Sequence, residues 1–277
     1  MKKNKSGTLL LVLVFFLGLS VMLYPTVSDA INRQHQSYAV SNYTQQVDNM
    51  TAADYSVWFD AADRFNAAIA ADPEALYHPD RFPAYDATLD ITGTGIMGYI
   101  TIPKINVELP IYHGTGDAVL QSGAGHLEGT SLPVGGESTH AVISAHRGLP
   151  RAKLFTHLDQ LEVGDTFTVT VLDRVLTYEV DKITIVLPTE VEDLKVVEGR
   201  DYLTLMTCTP YGINTHRLLV RGRRIATPDN LKHIRVTSEA VRIDPIITAP
   251  LMALPLLVVL LVVLLGGGRK KKKHPKP

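Results

Sequence analysis

One cysteine and its potential partners are the residues of this chain best suited to covalent chemistry. Cys208 is the only cysteine in 277 residues, so no disulfide can form within the chain. It lies near the end of an apolar run, where residues 204–212 break into a Thr-Pro-Tyr-Gly turn. A cysteine acts as a nucleophile when a base accepts the thiol proton and a donor stabilises the oxyanion formed on the substrate. This neighbourhood predicts acyl transfer through sulfur.

Two basic residues are the predicted partners of the thiol. His146 follows the apolar run 141–143 and precedes a Gly-Leu-Pro turn, a position typical of a side chain exposed at a strand end. Arg217 begins another apolar run nine residues after Cys208, so a turn can bring the two side by side. A guanidinium donates paired hydrogen bonds to an oxyanion without losing its charge. We therefore predict that Cys208, His146 and Arg217 form the catalytic group.

Other residues near these blocks are assigned supporting roles. Among the ten histidines, His126 is the second candidate for the acid/base partner, whereas His140, at the start of a strand, is expected to be structural. Thr207 and Thr209 flank the cysteine, and with His126 they are assigned to substrate binding or support of the site. The sequence has no Cys-x-x-Cys, His-x-His or His-Glu-x-x-His spacing, so neither a metal nor another cofactor is expected.

A mainly β domain must position these side chains. Short β-rich runs lie at 99–102, 107–112, 141–144, 166–171, 175–185, 202–207 and 218–225. Alternation of apolar and polar residues in 166–171 indicates a strand with one buried face. The leucines of residues 151–161 have helical spacing, which predicts one short helix there. Many short strands at near-regular intervals favour a barrel or a sandwich.

The residues before the β domain predict a helical stalk and a loop. Apolar side chains recur at gaps of three and four over residues 31–71, with a break near 50–54 where Thr51 can cap a second helix. Residues 72–96 contain Asp-Pro, His-Pro and Phe-Pro pairs and a Gly-Thr-Gly turn, which predict an irregular loop. A loop of this length is usually functional or disordered.

The N-terminal end has the composition of a membrane segment. Residues 8–24 are uncharged and apolar behind three lysines, so residues 1–30 predict a cytoplasmic flank and a transmembrane signal anchor. A removed signal peptide is the alternative, since Ser28 and Ala30 have the small side chains of a cleavage site.

The C-terminal end predicts a second anchor. A linker at 231–245 leads to an apolar segment at 246–266, which predicts a transmembrane helix, and then to a basic tail at 267–277. Basic flanks remain in the cytoplasm, so both termini are expected inside the cell and the intervening domain outside. The basic tail then faces anionic lipid, and the bilayer is a predicted partner.

The charge distribution argues against nucleic-acid binding. The net charge is only −1, but nine of the 27 basic residues and none of the 28 acidic ones lie in the terminal flanks. The middle of the chain therefore carries 18 basic residues against 28 acidic ones. An acidic domain repels phosphates, so no nucleic-acid partner is expected.

Five sequence blocks carry a family resemblance. They are GYITIPKI at 98–105, GHLEGTS at 125–131, AHRGLP at 145–150, TLMTCTPYG at 204–212 and NTHRLLV at 214–220. These blocks resemble the sortase family, and most closely its class C, pilus-assembling branch. The resemblance implies a closed sortase β-barrel with short helices over residues 97–230, preceded by a helical appendage, with transmembrane helices at both ends of the chain.

The resemblance also implies roles and partners. Cys208 would be the nucleophile, His146 its acid/base partner, and Arg217 the residue that orients substrate and stabilises the oxyanion. The implied substrate is a Leu-Pro-x-Thr-Gly-like sorting signal of a pilin or surface protein, and the implied acceptor is a lysine amine of a pilin. Three alternatives stay open: attachment of proteins to a cell-wall amine of peptidoglycan, peptide hydrolysis, or a non-catalytic, twice-anchored adhesin or pilus-base scaffold.

A lid is the last feature implied by the resemblance. Class C sortases resemble this chain in having a loop before the barrel, where an Asp-Pro-aromatic motif covers the cysteine. Here the segment 76–82 reads LYHPDRF, which keeps proline, acid and aromatics in a different order. Tyr77, His78 and Phe82 are the lid candidates, and we expect Tyr77 or Phe82 to shield Cys208.

Overall fold

The structure, a computed structural model, describes residues 5–228 as a β-barrel packed against two long helices. The strands are β1 (Ile96–Ile102), β2 (Val107–His113), β3 (Ala124–His126), β4 (Thr139–Ser144), β5 (Thr166–Val171), β6 (Arg174–Val186), β7 (Asp201–Thr209) and β8 (His216–Ile225). The helices are α1 (Lys5–Asp48), α2 (Ala52–Ala71) and α3 (Asp117–Ser122), with 3₁₀ turns at Pro79–Arg81, Pro103–Ile105, Leu158–Gln160 and Glu192–Leu194. The predicted linker, second membrane span and basic tail lie outside the described residues.

The eight strands close into a barrel in the order β1-β2-β3-β4-β7-β8-β6-β5. The pair β1 and β5 completes the circle, and closure satisfies the backbone groups that an open edge would expose. Two neighbouring pairs are parallel, β2 with β3 and β4 with β7. The parallel pairing of β4 with β7 brings the ends of two strands far apart in sequence to the same rim of the barrel.

The strands form because their apolar residues alternate. Phe167, Val169 and Val171 of β5 enter the barrel, as do Leu203 and Leu205 of β7. Each is at most 1% exposed, and burying such a side chain contributes about 1.5–3 kcal/mol. A mainly β closed barrel with short helices is therefore present, and β3 is the strand that the sequence did not predict.

The helical stalk lies against this barrel. Its break is where the sequence predicts it: Thr51 is the N-cap of α2, accepting a hydrogen bond from the backbone of Asp54 in a capping box. Tyr43 of α1 is buried, donates to the carbonyl of Met97 at 3.1 Å and accepts from the backbone N–H of Leu172 at 2.8 Å. α1 is thus joined to the barrel by polar contacts as well as by its apolar face.

α1 is continuous through residue 30, where the sequence analysis divides the membrane segment from the stalk, and it contains Pro25. One predicted helix differs from the structure. The helix predicted over 151–161 is wrong, because this segment contains only the 3₁₀ turn Leu158–Gln160. Leu154 has a positive φ of 42°, which a helix does not allow, although its side chain is buried as the pattern indicates.

One described helix has the properties of a membrane span. Within residues 5–228, the Val14–Asp48 part of α1 is long enough and apolar enough to cross a bilayer, with a mean hydropathy of 1.6 in its most apolar window. Only 6% of that window is buried inside the protein.

Candidate active site

The candidate site lies on the outside of the barrel. Alternate residues of β4, β7 and β8 point into the core, and the residues between them point outward. The outward set forms a second apolar cluster, which we call the outer cluster. Its members are Val142, Leu194 and Leu219, with Leu76, Leu127, Val186, Val191 and Met206 packed around them.

Cys208 and Arg217 face each other across two strands at one end of this outer face. They are paired directly in the antiparallel ladder of β7 and β8, and side chains opposite each other in such a ladder lie about 5 Å apart at their Cβ atoms. Both residues are half-buried, and the thiol is free. The Nη1 group of Arg217 donates to the carbonyls of His216 at 3.2 Å and Asn214 at 3.4 Å.

His146 reaches the same end from β4. The last parallel pair is Ser144 with Met206, so two further residues bring His146 level with Cys208. The backbone stays attached beyond the strand end, because Ala145 donates to the Met206 carbonyl at 3.2 Å. Since Ala145 is buried in the core, alternation points the half-buried His146 outward. The backbone thus places the three predicted residues on one face.

The surroundings of His146 favour the neutral imidazole. Burial lowers the pKa of His146 below its ordinary value, and the positive charge of Arg151 acts in the same direction. The carboxylate of Asp117, in the first turn of α3, opposes this by raising the pKa. The net direction is downward, so the ring is uncharged near neutral pH and can accept a proton from a thiol.

Comparison with known proteins agrees with this geometry. A family model described as the sortase domain matches residues 100–225. Sortase C1 of Streptococcus agalactiae superposes with a TM-score of 0.64 at 47% identity, covering 69% of this chain and 100% of that one. The chain belongs to the sortase family. Sortase C of Streptococcus pneumoniae is also similar, with a TM-score of 0.63, 46% identity and coverage of 69% of this chain and 97% of that one.

Curated sortases match a shorter region. Sortase A of Streptococcus agalactiae serotype III (strain NEM316) is 34% identical over 117 residues, 41% of this chain and 47% of the relative. Sortase D of Bacillus subtilis (strain 168) is 32% identical over 131 residues, 46% of this chain and 63% of the relative. The match thus spans about half to two thirds of the length of these curated relatives. The sortase domain and these relatives indicate a cysteine transpeptidase.

The loop before the sortase barrel lies against the outer cluster through Leu76. This side chain packs in the same cluster as Met206. Met206 and Cys208 are two residues apart on β7, so their side chains lie on the same outer face. The loop backbone is close as well: a Cβ at Gly129, which has a positive φ of 76°, would overlap the carbonyl of Ala75. A cavity of about 150 Å³ remains between the loop and the barrel, partly lined by His140.

The three lid candidates lie at different places on this loop. Tyr77 is 51% exposed and His78 is exposed. Phe82 packs with the main core, its ring centroid 5.7 Å from that of Phe65 on α2. Leu76 is therefore the side chain of the segment 76–82 that joins the outer cluster, and the sequence did not single it out.

Thr207 and Thr209 are buried residues that hold the backbone and side chains next to the site. Thr207 is buried and donates to the carbonyl of Ala145 at 2.8 Å, which fixes the backbone next to His146. Thr209 is buried and accepts from Arg147 at 3.5 Å. Arg147 also forms an ion pair with Asp159 and lies 5.9 Å from the ring centroid of Tyr211. These contacts tie the loop after β4 to the loop after β7.

His126 has a structural position and is not exposed to substrate. It is fully buried, with Nδ1 2.9 Å from the hydroxyl of Tyr85 and Nε2 2.8 Å from the carbonyl of Ser131. Burial lowers its pKa to about 4. His140 is also buried, as expected of a structural residue, with Nε2 2.8 Å from the hydroxyl of Thr204. The support assigned to His126 is therefore support of the fold.

The sequence analysis did not identify the residues that influence the site without belonging to the catalytic group. Tyr85 joins the loop to β3 by bonding both the ring and the carbonyl of His126. Asp117 and Arg151 are the charges that act on His146, and neither has a distinctive spacing from it. Asp117 and Tyr85 meet their partners only through the fold, and the five-residue separation of Arg151 from His146 within one irregular loop carries no periodic signal.

Proposed function

We propose that this sortase cleaves a Leu-Pro-x-Thr-Gly-like sorting signal and joins the freed threonine carbonyl to a lysine amine of a pilin subunit. One observation carries the proposal: Cys208 and Arg217 are directly paired across β7 and β8, and His146 is level with them on the same face. A thiol, an imidazole and a guanidinium so arranged can perform acyl transfer without a cofactor.

The first half of the reaction forms a thioacyl enzyme. Neutral His146 accepts the proton of the Cys208 thiol, and the sulfur attacks the threonine carbonyl carbon. A carbon–sulfur bond forms while the carbonyl electron pair moves to oxygen, where Arg217 donates hydrogen bonds to the oxyanion. Collapse of this intermediate breaks the threonine–glycine bond, and protonated His146 gives its proton to the departing glycine amine.

The second half transfers the acyl group. A neutral lysine amine attacks the thioacyl carbon, and its surplus proton passes to His146. The carbon–sulfur bond breaks, the new isopeptide bond remains, and the proton returns to the sulfur. No oxidant or reductant enters this sequence, and His146 is neutral again for the next cycle.

The choice of a pilin acceptor rests on the solved relatives. The similar structures at 43–47% identity are sortase C proteins, and one of them concerns pilin substrate specificity in Streptococcus pneumoniae. The apolar N-terminal part of α1 supports anchoring in the membrane, and the lysines that precede it in the sequence predict that the barrel lies outside the cell. The second anchor proposed at residues 246–266 rests on the sequence pattern alone.

We also propose that the segment 76–82 is a lid. Leu76 of this segment packs in the outer cluster, and Arg81 of the segment forms an ion pair with Asp72 at 3.1 Å. A lid mutant of sortase C1 from Streptococcus agalactiae is among the similar solved structures. Tyr77, His78 and Phe82 remain predicted lid residues, and Leu76 joins them.

Mass spectrometry of a cross-linking reaction tests the proposed function. The full chain in detergent is incubated with a pilin that carries a sorting signal, and an isopeptide between threonine and lysine is expected. Cys208→Ala should abolish the product, a loss of more than about 10⁴-fold. Met206→Leu is the matched control, since it alters the same face without removing the thiol.

The acceptor is decided by competition. The same reaction supplied with a cell-wall peptide amine, or with no amine, separates three products: pilin cross-link, cell-wall conjugate and hydrolysed signal. A cell-wall conjugate formed faster than the pilin cross-link would contradict pilus assembly while leaving the cysteine chemistry intact. Undiminished cross-linking by Cys208→Ala would contradict both.

A further inference from the structure

The loop that carries His146 is attached to α1, the helix that continues into the apolar segment. Two polar side chains of α1 reach its backbone. Asp29, 6% exposed, accepts a hydrogen bond from the backbone N–H of Lys153 at 2.8 Å. Asn32 donates to the carbonyl of Arg151 at 2.7 Å. These partners are separated by more than 110 residues in sequence, so the contacts exist only in the folded chain.

The attached segment is connected directly to His146. The backbone N–H of Phe155 donates to the carbonyl of His146 at 3.1 Å, and Phe155 is fully buried. Residues 146–155 therefore form a closed loop whose middle is held by α1. A displacement of residues 151–153 would be transmitted through this hydrogen bond to His146.

A third side chain of α1 holds the element on the other side of His146. Gln36, 6% exposed, donates to the carbonyl of Ser122 at 3.1 Å, at the C-terminal end of α3. The first residue of α3 is Asp117, whose carboxylate acts on His146. Asn32 and Gln36 thus anchor the two segments that bring opposite charges, Arg151 and Asp117, to the imidazole.

We propose that Asp29, Asn32 and Gln36 are positioning residues for His146, so that the membrane-proximal helix sets the geometry and charge environment of the acid/base group. This inference depends on the proposed transpeptidase function for its kinetic consequence, but its structural part concerns His146 alone. α1 is then a working part of the site and more than an anchor or a stalk.

The charged groups near His146 give the proposal a signed prediction. Arg151 lies on the loop of His146 and Asp117 on α3, while Cys208 and Arg217 face each other on β7 and β8 at the same end of the outer face, with Arg221 and Arg223 further along β8. Asn32→Ala releases Arg151 and opens the loop to water, so the protonation midpoint of His146 should rise. Gln36→Ala releases the helix of Asp117, so the midpoint should fall.

The test is a titration of the His146 ring by NMR, in the full chain in detergent with isotope-labelled histidine. The signal is assigned with His146→Gln. Asn32→Ala and Gln36→Ala should change the proton affinity of His146 in opposite directions, each by at least about twofold. Gln34→Ala is the matched control, because Gln34 is exposed on the same helix, and it should leave the titration unchanged.

Two substitutions of Asp29 separate the effect of losing its charge from the effect of losing its hydrogen bond to Lys153. Asp29→Ala and Asp29→Asn both remove the carboxylate, but only the asparagine keeps an oxygen that can accept from Lys153. Asp29→Asn should therefore retain the wild-type titration and turnover, whereas Asp29→Ala should lower kcat about fivefold to tenfold with KM nearly unchanged. Equal effects of the two variants would overturn the positioning role of this hydrogen bond.

The outcomes separate this inference from the proposed function. Opposite shifts of the titration support the inference even if the wild-type chain forms no cross-link, a result that would contradict the proposed function alone. A lowered melting temperature in Asn32→Ala and Gln36→Ala with an unmoved titration would overturn the inference, because it would show a contact that serves stability only.

Discussion

Cys208 and Arg217 are held by paired strands, whereas His146 lies past the end of its strand on a loop held by hydrogen bonds from other elements. In the first case the β7–β8 ladder itself sets the spacing, with eight consecutive pairs from Tyr202–Arg223 to Thr209–His216. In the second, α1 and Thr207 each contribute contacts. A single substitution elsewhere should therefore move Cys208 and Arg217 little. The position of His146 should be more sensitive to such a substitution.

Removal of the guanidinium should have the largest effect among the predictions that follow. Arg217→Ala leaves the ladder intact but removes the proposed oxyanion donor, so kcat should fall about 10²–10³-fold. Arg217→Lys keeps the charge without the planar fork and should recover part of this loss. Steady-state turnover of a sorting-signal peptide measures both. Arg223→Ala, on the same strand and paired with Glu179, is the control, and a loss below tenfold in Arg217→Ala would argue against the assigned role.

The position of His146 is tested by a buried hydroxyl. Thr207→Val removes the hydrogen bond to the carbonyl of Ala145 beside His146, so kcat should fall by up to about 10²-fold as the imidazole loses its position. Thr204→Val removes a similarly buried hydroxyl of β7, the partner of His140. Both should cost about 1 kcal/mol of unfolding free energy, measured by denaturant titration. Equal kcat values would show that Thr207 does not position His146.

Acid should destabilise the fold through the buried histidines. Burial lowers the pKa of His126 and of His140 to about 4 in the folded state. The unfolded chain, with a pKa near 6.5, therefore binds protons first as the pH falls, and stability is lost from about pH 6.5 down to about pH 4. Each histidine should cost about 2 kcal/mol between pH 7 and pH 5.

Denaturant unfolding at pH 7 and pH 5 measures this loss. His126→Gln should remove its share of the pH dependence, and an unchanged dependence would contradict the buried neutral state. Hydrogen exchange at pH 5 locates this loss, since the loops joined at His126 should lose protection before the β7–β8 pair does.

The smallest expected effect concerns the lid. Leu76→Ala removes an apolar contact with the outer cluster worth about 1.4 kcal/mol, so the open state should be about tenfold more populated. Iodoacetamide should then alkylate Cys208 about tenfold faster, as followed by mass spectrometry. Asp80→Ala is the control, because Asp80 is exposed on the same segment and is not a lid candidate. Faster labelling in Tyr77→Ala or Phe82→Ala than in Leu76→Ala would return the shielding role to the aromatic residues.

Much of the fold was accessible from local patterns. Alternation over 166–171 predicted β5, and Thr51 predicted the start of α2, because both depend on residues within a few positions of each other. The leucines of 151–161 gave a wrong helix for the same reason: their spacing reports burial but not whether the backbone is helical. The three-residue strand β3 is too short to carry a periodic signal.

The sequence by itself determined the chemistry of this sortase: a single thiol, a histidine after one strand and an arginine nine residues beyond the cysteine. Only the tertiary structure decided how these groups are held. The parallel pairing of β4 with β7 sets His146 level with Cys208, and α1 reaches the loop of His146 through Asp29 and Asn32. Such contacts join residues far apart in the chain, and they depend on which surfaces are buried together once the barrel closes.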